Sequence, residues 1–407
     1  MVLSVSEPGD RLARRNALVL ALAQAIGGAL TSITVALGGL VGVYLLNENA
    51  ELATLPVTAM IVGTACGTVP AAMLLARVGR KLGFMAGAMI AGTGGLVAFA
   101  GLQALSFPIF CLGTFLGGFS FAFVQQYRFA ATEGASAPFR PKAISIVLAG
   151  GIFAGVIGPQ TVIATKDLFL PLEYAGAYLA QAVLCLVTIA ILLFYREVPA
   201  PPKTDEVVVS RPVLHIVREP AVALAIACAV VSYGVMSLVM TAAPLAMLSC
   251  GFTTADAALG IQWHVIAMFA PSFFTGALIT RFGAESVTAV GLVLLCGAGI
   301  AALLGISLGH FYVSLILLGI GWNFGFIGGT TMLTNAQRPE ERARTQAANE
   351  LIVFGSVAIA SLSSGILFQT VGWESINWAV MPIVVVPLAL LGLGLLGVLR
   401  LRRDRLA

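Results

Sequence analysis

Charge is what this chain has least of: 18 Asp or Glu and 22 Lys or Arg among 407 residues, or 10%. A soluble domain carries about a quarter. With 59% hydrophobic residues and a mean hydropathy of +1.00, the shortfall excludes a water-soluble globular protein and indicates one built into a membrane. Histidine is scarcer still, and His215, His264 and His310 are too scattered to suggest a metal site. The six cysteines include no CxxC pair, and all but Cys250 sit in apolar runs, where Cys behaves as a small buried hydrophobe. Nucleotide-binding loops, zinc-hydrolase signatures and nucleophile elbows are missing too. No catalytic residue, metal or cofactor is therefore expected, and ATP hydrolysis by this chain is not expected to drive its work.

Glycine and proline are plentiful by contrast, at 45 and 18 residues, as in transmembrane helices that pack closely or bend. The first apolar run follows Arg14 and Arg15 without a small-residue cleavage site, which predicts a first span and not a signal peptide. A span takes ~20 apolar residues. Cutting at charges and Gly/Pro/Asn clusters predicts twelve, at about 17–45, 54–75, 82–105, 107–130, 142–165, 172–195, 219–247, 255–280, 286–307, 310–334, 346–370 and 376–399.

With the N-terminus in the cytoplasm, the segments on that side hold every one of the 22 Lys and Arg residues except Lys166. This positive-inside bias predicts that both termini are cytoplasmic, and it gives the basic ends an orienting role in place of nucleic-acid binding. The charged, proline-bearing tract between spans six and seven reads as a linker. The expected domains are residues 1–195, a cytoplasmic linker at 196–218, and residues 219–407 ending in a short basic tail.

The halves echo each other. ARVGRK (76–81) aligns with TRFGAE (280–285) at an offset of 204, and GFSFAF (118–123) with GWNFGF (321–326) at an offset of 203. The first pair follows the second span of each half and the second pair lies in the fourth, which predicts a duplicated six-helix unit enclosing a cavity. In its six-plus-six spans, and in the short basic loop with its degenerate copy, the chain resembles the major facilitator superfamily. Arg77, Gly79, Arg80 and Lys81 match the second part of that family's loop signature, while Ala72 and Ala76 stand where it has Gly and Asp. In the copy, Gly276, Arg281 and Gly283 match and Thr280 replaces the acid. The resemblance implies an all-α membrane protein of twelve transmembrane helices in two pseudo-symmetric six-helix bundles, the major facilitator fold. It also implies a gating role for Arg77, Gly79, Arg80, Lys81 and Arg281. Lacking the acid at position 76, the inner latch is expected to be weak or to use another carboxylate.

Polar side chains inside a span are costly and therefore informative. Spans one, four, seven and ten surround the cavity in the resembled family, which makes Gln24, Gln125, Tyr127, Arg128, Tyr233, Trp322 and Asn323 candidate substrate contacts. Arg128 is equally placed to pair with Glu133 or Glu350, or to snorkel to the interface. Two duties are open to Asn323, joining helices or binding solute. Glu350, near the start of span eleven, is the carboxylate available for proton coupling, since Thr114 stands where the family often has an Arg in span four.

The expected function is secondary or facilitative transport of a small organic, ring-containing solute by alternating access across the bacterial cytoplasmic (inner) membrane. Membrane lipids, and protons if transport is coupled, are the other partners; a monomer suffices. The sparse formal charge suits a vitamin such as riboflavin, and span ten followed by ERARTQAANE resembles a branch of bacterial facilitators that includes proposed riboflavin importers. Multidrug/proton antiport is the alternative, weakly suggested by Gly158-Pro159 in span five, with a lipid flippase further behind.

Overall fold

A computed structural model describes residues 8–47, 50–136, 139–198, 212–338 and 341–404. Long apolar runs become helices because the membrane interior leaves backbone N–H and C=O groups only each other as partners. The first half comprises α1 (Pro8–Leu46), α2 (Leu55–Val78), α3 (Arg80–Gln103), α4 (Phe107–Val124), the one-turn α5 (Tyr127–Ala130), α6 (Arg140–Thr165) and α7 (Ala175–Leu192). The second comprises α8 (Val213–Val217), α9 (Pro220–Ser249), α10 (Thr254–Phe269), α11 (Ser272–Phe282), α12 (Ala284–Leu303), α13 (Leu308–Ala336) and α14 (Arg342–Asp404).

Among the described residues, ten helices are long and apolar enough to cross a membrane when α4 and α5 count together, and the α10/α11 pair makes an eleventh. Two places depart from the expected twelve uniform spans. Span eight is broken between α10 and α11, which meet at an angle of 42°. Pro271 at the break has no N–H to continue the ladder. The last two expected spans form the single 63-residue α14, interrupted at Gly372 with φ 79° and ψ 177°. An uninterrupted helix of that length would run ~95 Å, about three hydrocarbon thicknesses, so a break is physically required. Residues 199–211 of the expected linker, with Lys203 and Arg211, lie outside the described residues, as does Arg405.

Helices pack chiefly within their own half: α1 on α6, α4 on α2 and α3, then α13 on α9, α10 and α12, with α14 on α9. Small residues permit this, as where Gly94 and Gly113 let α3 and α4 approach backbone to backbone. The halves meet along α6 and α10, α2 and α14, and α1 with α9 and α10. Loops bearing Arg77, Arg140, Arg196, Arg281 and Arg338 share one end of the helices, the basic end. Contacts between halves concentrate toward the other, remote end. There the Thr58 hydroxyl donates to Ser361 Oγ at 3.2 Å and Gln160 Nε2 to Gln262 Oε1 at 2.9 Å. Gly39 faces Leu245 nearby, and the α6–α10 seam runs on to Gly151 against the Phe269 ring.

Candidate functional site

A cavity of about 960 Å³ of empty space, counted to its open mouth, lies between the halves. α1 and α4 bring the amides Gln24 and Gln125 and the ring of Phe121 to its wall. α9, α10, α13 and α14 bring Tyr233, Phe269, Trp322 and Phe354, with Met236, Met240 and Met268 between them. Among the described residues, none of its lining side chains is Asp, Glu, Lys, Arg or His. An apolar wall with a few oriented polar groups is the usual chemistry of a small-molecule site.

The rings form one connected cluster. Trp322 stacks on Phe326 with centroids 5.4 Å apart and an interplanar angle of 11°. Tyr233 meets Trp322 edge-on at 5.4 Å and Phe326 at 5.2 Å, and Phe354 lies 6.0 Å from Tyr233. Each ring is thereby held by its neighbours, in the offset and edge-to-face arrangements that aromatic quadrupoles favour. Trp322 is 8% exposed, and its indole Nε1 is buried without a hydrogen-bond partner.

Of the sequence-derived candidates, Gln24, Gln125, Tyr233 and Trp322 line this cavity together, and Tyr127, Arg128 and Asn323 do not. Tyr127 points into the first half, 1% exposed and edge-on to Phe84 at 4.7 Å. It follows Gln125 by two positions, about 200° around a helix, so the two cannot share a face. Asn323 is fully buried behind the wall and braces the broken span. Its Nδ2 donates to the Met268 carbonyl and to Ser272 Oγ, both at 2.7 Å, and its Oδ1 accepts from the Thr275 hydroxyl at 2.6 Å. Of its two open duties, joining helices is the one its contacts show.

Arg128 is half-buried at the basic end of the α4–α5 segment, with its guanidinium 4.8 Å from the Phe129 ring and its Nε without a partner. Glu350 is exposed near the start of α14. Neighbouring Gln262 and His264 have structural partners: the former bonds Gln160, and His264 Nδ1 lies 2.8 Å from the Leu315 carbonyl and must donate to it.

At the loop after α2, the carboxylates that the missing acid left to be found are Glu133 and Glu197. Arg80 pairs with Glu133 at 2.7 Å, and the backbone N–H groups of Lys81 and Arg80 donate to Glu197 at 2.7 and 3.3 Å. Lys81 Nζ donates to the Leu193 carbonyl at 2.6 Å. The three partners, Glu133, Leu193 and Glu197 at the start of the linker, all precede the second half, so these contacts brace the loop on the first half and do not latch the two together. Arg77 is exposed, and Arg281 lies with its guanidinium 5.2 Å from the Phe282 ring. Gly79 and Gly283, the residues paired by the offset of 204, adopt nearly the same backbone: φ 87° and ψ 168° against φ 86° and ψ 154°. Side chains rarely tolerate that conformation, which accounts for Gly in both copies.

Sequence reasoning missed the methionines, Phe121, Phe269 and Phe354. An apolar side chain in an apolar span has no contrast to betray it. The contributions of α2, α6, α10 and α14 to the wall also lay outside the four spans expected to form it.

The family model of the Major Facilitator Superfamily matches residues 17–300 and 225–405. The chain belongs to that superfamily: it is a multi-pass membrane transporter of bacterial type, not an enzyme, and it moves a small molecule by alternating access. It is 49% identical over 363 residues to the riboflavin transporter RfnT of Brucella anthropi, covering 89% of this chain and 91% of that one. The uncharacterized MFS-type transporter YdeG of Bacillus subtilis is 28% identical over 380 residues, covering 90% and 88% of the two chains. A solved structure of a mutant of the nucleoside transporter NupG superposes with a TM-score of 0.72 at 12% identity, covering 93% of this chain and 98% of that one; the likeness is one of fold.

Proposed function

We propose that this transporter carries riboflavin, or a flat heteroaromatic solute closely like it, through the cavity between two six-helix bundles. The observation that carries the reading is the cavity wall, with a braced ring cluster on one side, amides on the other and no formal charge on its lining. The rings offer a surface on which a flat solute can stack, and Gln24 and Gln125 offer both donors and acceptors to its polar edge. A relative with 49% identity that is named a riboflavin transporter supports the same choice.

In this reading the turn at Gly372 separates the last two of twelve spans, six before the linker at 196–218 and six after it. The basic loops and both termini face the cytoplasm across the inner membrane. Closure at the remote end then leaves the cavity facing inward. Opening it outward must break the Thr58–Ser361 and Gln160–Gln262 hydrogen bonds, each a net ~1 kcal/mol, so the closure is readily reversed. Arg77, Arg80, Lys81 and Arg281 act on that equilibrium through the loops they occupy, and Glu350 couples it to protons. A monomer in its lipid bilayer is sufficient.

The test is uptake of labelled riboflavin into proteoliposomes, with and without an imposed proton gradient. Saturable uptake that unlabelled riboflavin competes away is expected, and an acceleration by the gradient that Glu350→Gln abolishes is expected of coupling. Uptake no faster than in protein-free liposomes overturns the substrate. Expulsion of cationic hydrophobic dyes in its place favours multidrug antiport.

A further inference from the structure

Just beyond the uncharged lining, on the basic side, the two halves each present an ionisable residue on a cavity-facing stripe. Phe121 and Gln125 line the cavity, and Arg128 follows Gln125 by three positions in a backbone that stays right-handed through Gln125 and Gln126. Phe354 and Val357 line it from α14, and Glu350 precedes them by four and seven positions, the spacing of one helix face. Glu350, from the second half, is the carboxylate whose field reaches Arg128. The cavity lining is thus neutral and aromatic, and the helix stripes that continue its walls toward the basic end carry Arg128 and Glu350.

We infer that Arg128 and Glu350 read the tail of the solute, accepting a neutral polyhydroxyl chain and disfavouring a phosphorylated one. A guanidinium only donates hydrogen bonds and an ionised carboxylate only accepts them, whereas a hydroxyl does both. A chain of hydroxyls therefore satisfies Arg128 and Glu350 together and adds no charge. A phosphate satisfies Arg128 alone and sets like charge beside Glu350 in a mouth whose neighbouring wall is apolar, where charge is poorly screened. The inference rests on the riboflavin reading, for riboflavin joins a flat ring system to such a chain. With the ring at Trp322 and Tyr233, the chain extends toward Arg128.

Equilibrium binding to the purified full-length protein, followed by flavin fluorescence, tests this with riboflavin, riboflavin phosphate and lumichrome, which has the ring system without the chain. Wild-type protein should prefer riboflavin to riboflavin phosphate by about tenfold or more, and Glu350→Gln should shrink that preference to about threefold or less. Arg128→Gln should weaken riboflavin about tenfold while lumichrome affinity stays within about twofold, which also shows that the variant is folded. Should Arg128→Gln fail to fold, Arg128→Lys should still lose riboflavin selectively against lumichrome, since a point charge does not replace the planar fork. An unchanged preference in Glu350→Gln, or equal losses of riboflavin and lumichrome in folded Arg128 variants, overturns the inference and leaves riboflavin as substrate intact. If wild-type protein binds none of the three, the riboflavin reading fails and this inference falls with it.

Discussion

The two halves of the chain furnish the cavity differently. Among the described residues, the first half supplies Gln24, Gln125 and several hydroxyls, with Phe121 as its only lining aromatic ring; the second supplies Tyr233, Phe269, Trp322 and Phe354 with three methionines. Their loops differ in the same manner. Gly79 and Gly283 make the same turn, yet among the described residues only the first turn donates hydrogen bonds to a neighbouring carboxylate, that of Glu197, while Glu285 lies beside the second without one. The two halves thus share what the backbone needs, the positive-φ turn, while side chains free of that constraint differ, as a hydrogen-bonding wall and a stacking wall.

Six substitutions break or sharpen this contrast. Asn323→Ala should have the largest effect on stability, about 3 kcal/mol, because the Met268 carbonyl and the Ser272 and Thr275 hydroxyls all lose a buried partner. Thermal unfolding in detergent reads it, and solute affinity of the folded fraction should be unchanged; an affinity loss without a stability loss would return Asn323 to the solute site. Trp322→Ala should cost about 2–3 kcal/mol of riboflavin affinity against less than about 1.4 for Phe121→Ala. Equal costs measured by titration would erase the distinction between stacking and hydrogen-bonding walls.

Gly79→Ala should destabilise by about 2 kcal/mol and Gly283→Ala by about 1, since both are strained by their φ angles but only a Cβ at Gly79 would meet Glu197 Oε1, at 2.8 Å. Identical unfolding temperatures for the two would mean that the grip of Glu197 contributes nothing. The smallest effect, about 1 kcal/mol of affinity, is expected for Gln125→Leu, which removes hydrogen bonding but keeps bulk. Binding that improves in this variant would exclude a polar contact there.

Hydropathy and the cation bias made most of the spans readable, because crossing a bilayer demands long uncharged runs. Two boundaries were subtler. Pro271 lay in plain view inside span eight, but proline is common in membrane helices; the 42° bend between α10 and α11 shows that the chain breaks there, and the contacts of Asn323 show that the break is braced. The break in α14 at Gly372 falls within the expected gap at 371–375, as a helix too long for a single crossing requires. Half of the cavity's character was readable, through amides and aromatics that stand out in apolar surroundings. Tyr127 was assigned to the wrong face because α4 gives way to Gln125 and Gln126 near its end and a run such as QQYR offers no periodicity to fix the phase. Methionine and phenylalanine in the wall were indistinguishable from those facing lipid.

The most direct test of the central claim, that riboflavin occupies the cavity between the halves, is protection of a cysteine placed in its wall. In a background with the six native cysteines replaced, Thr31→Cys should react with a small thiol reagent, and saturating riboflavin should slow that reaction about tenfold while leaving a control Glu173→Cys at the remote end unaffected. Undiminished labelling at position 31 under riboflavin concentrations that saturate transport would contradict the account and place the solute elsewhere.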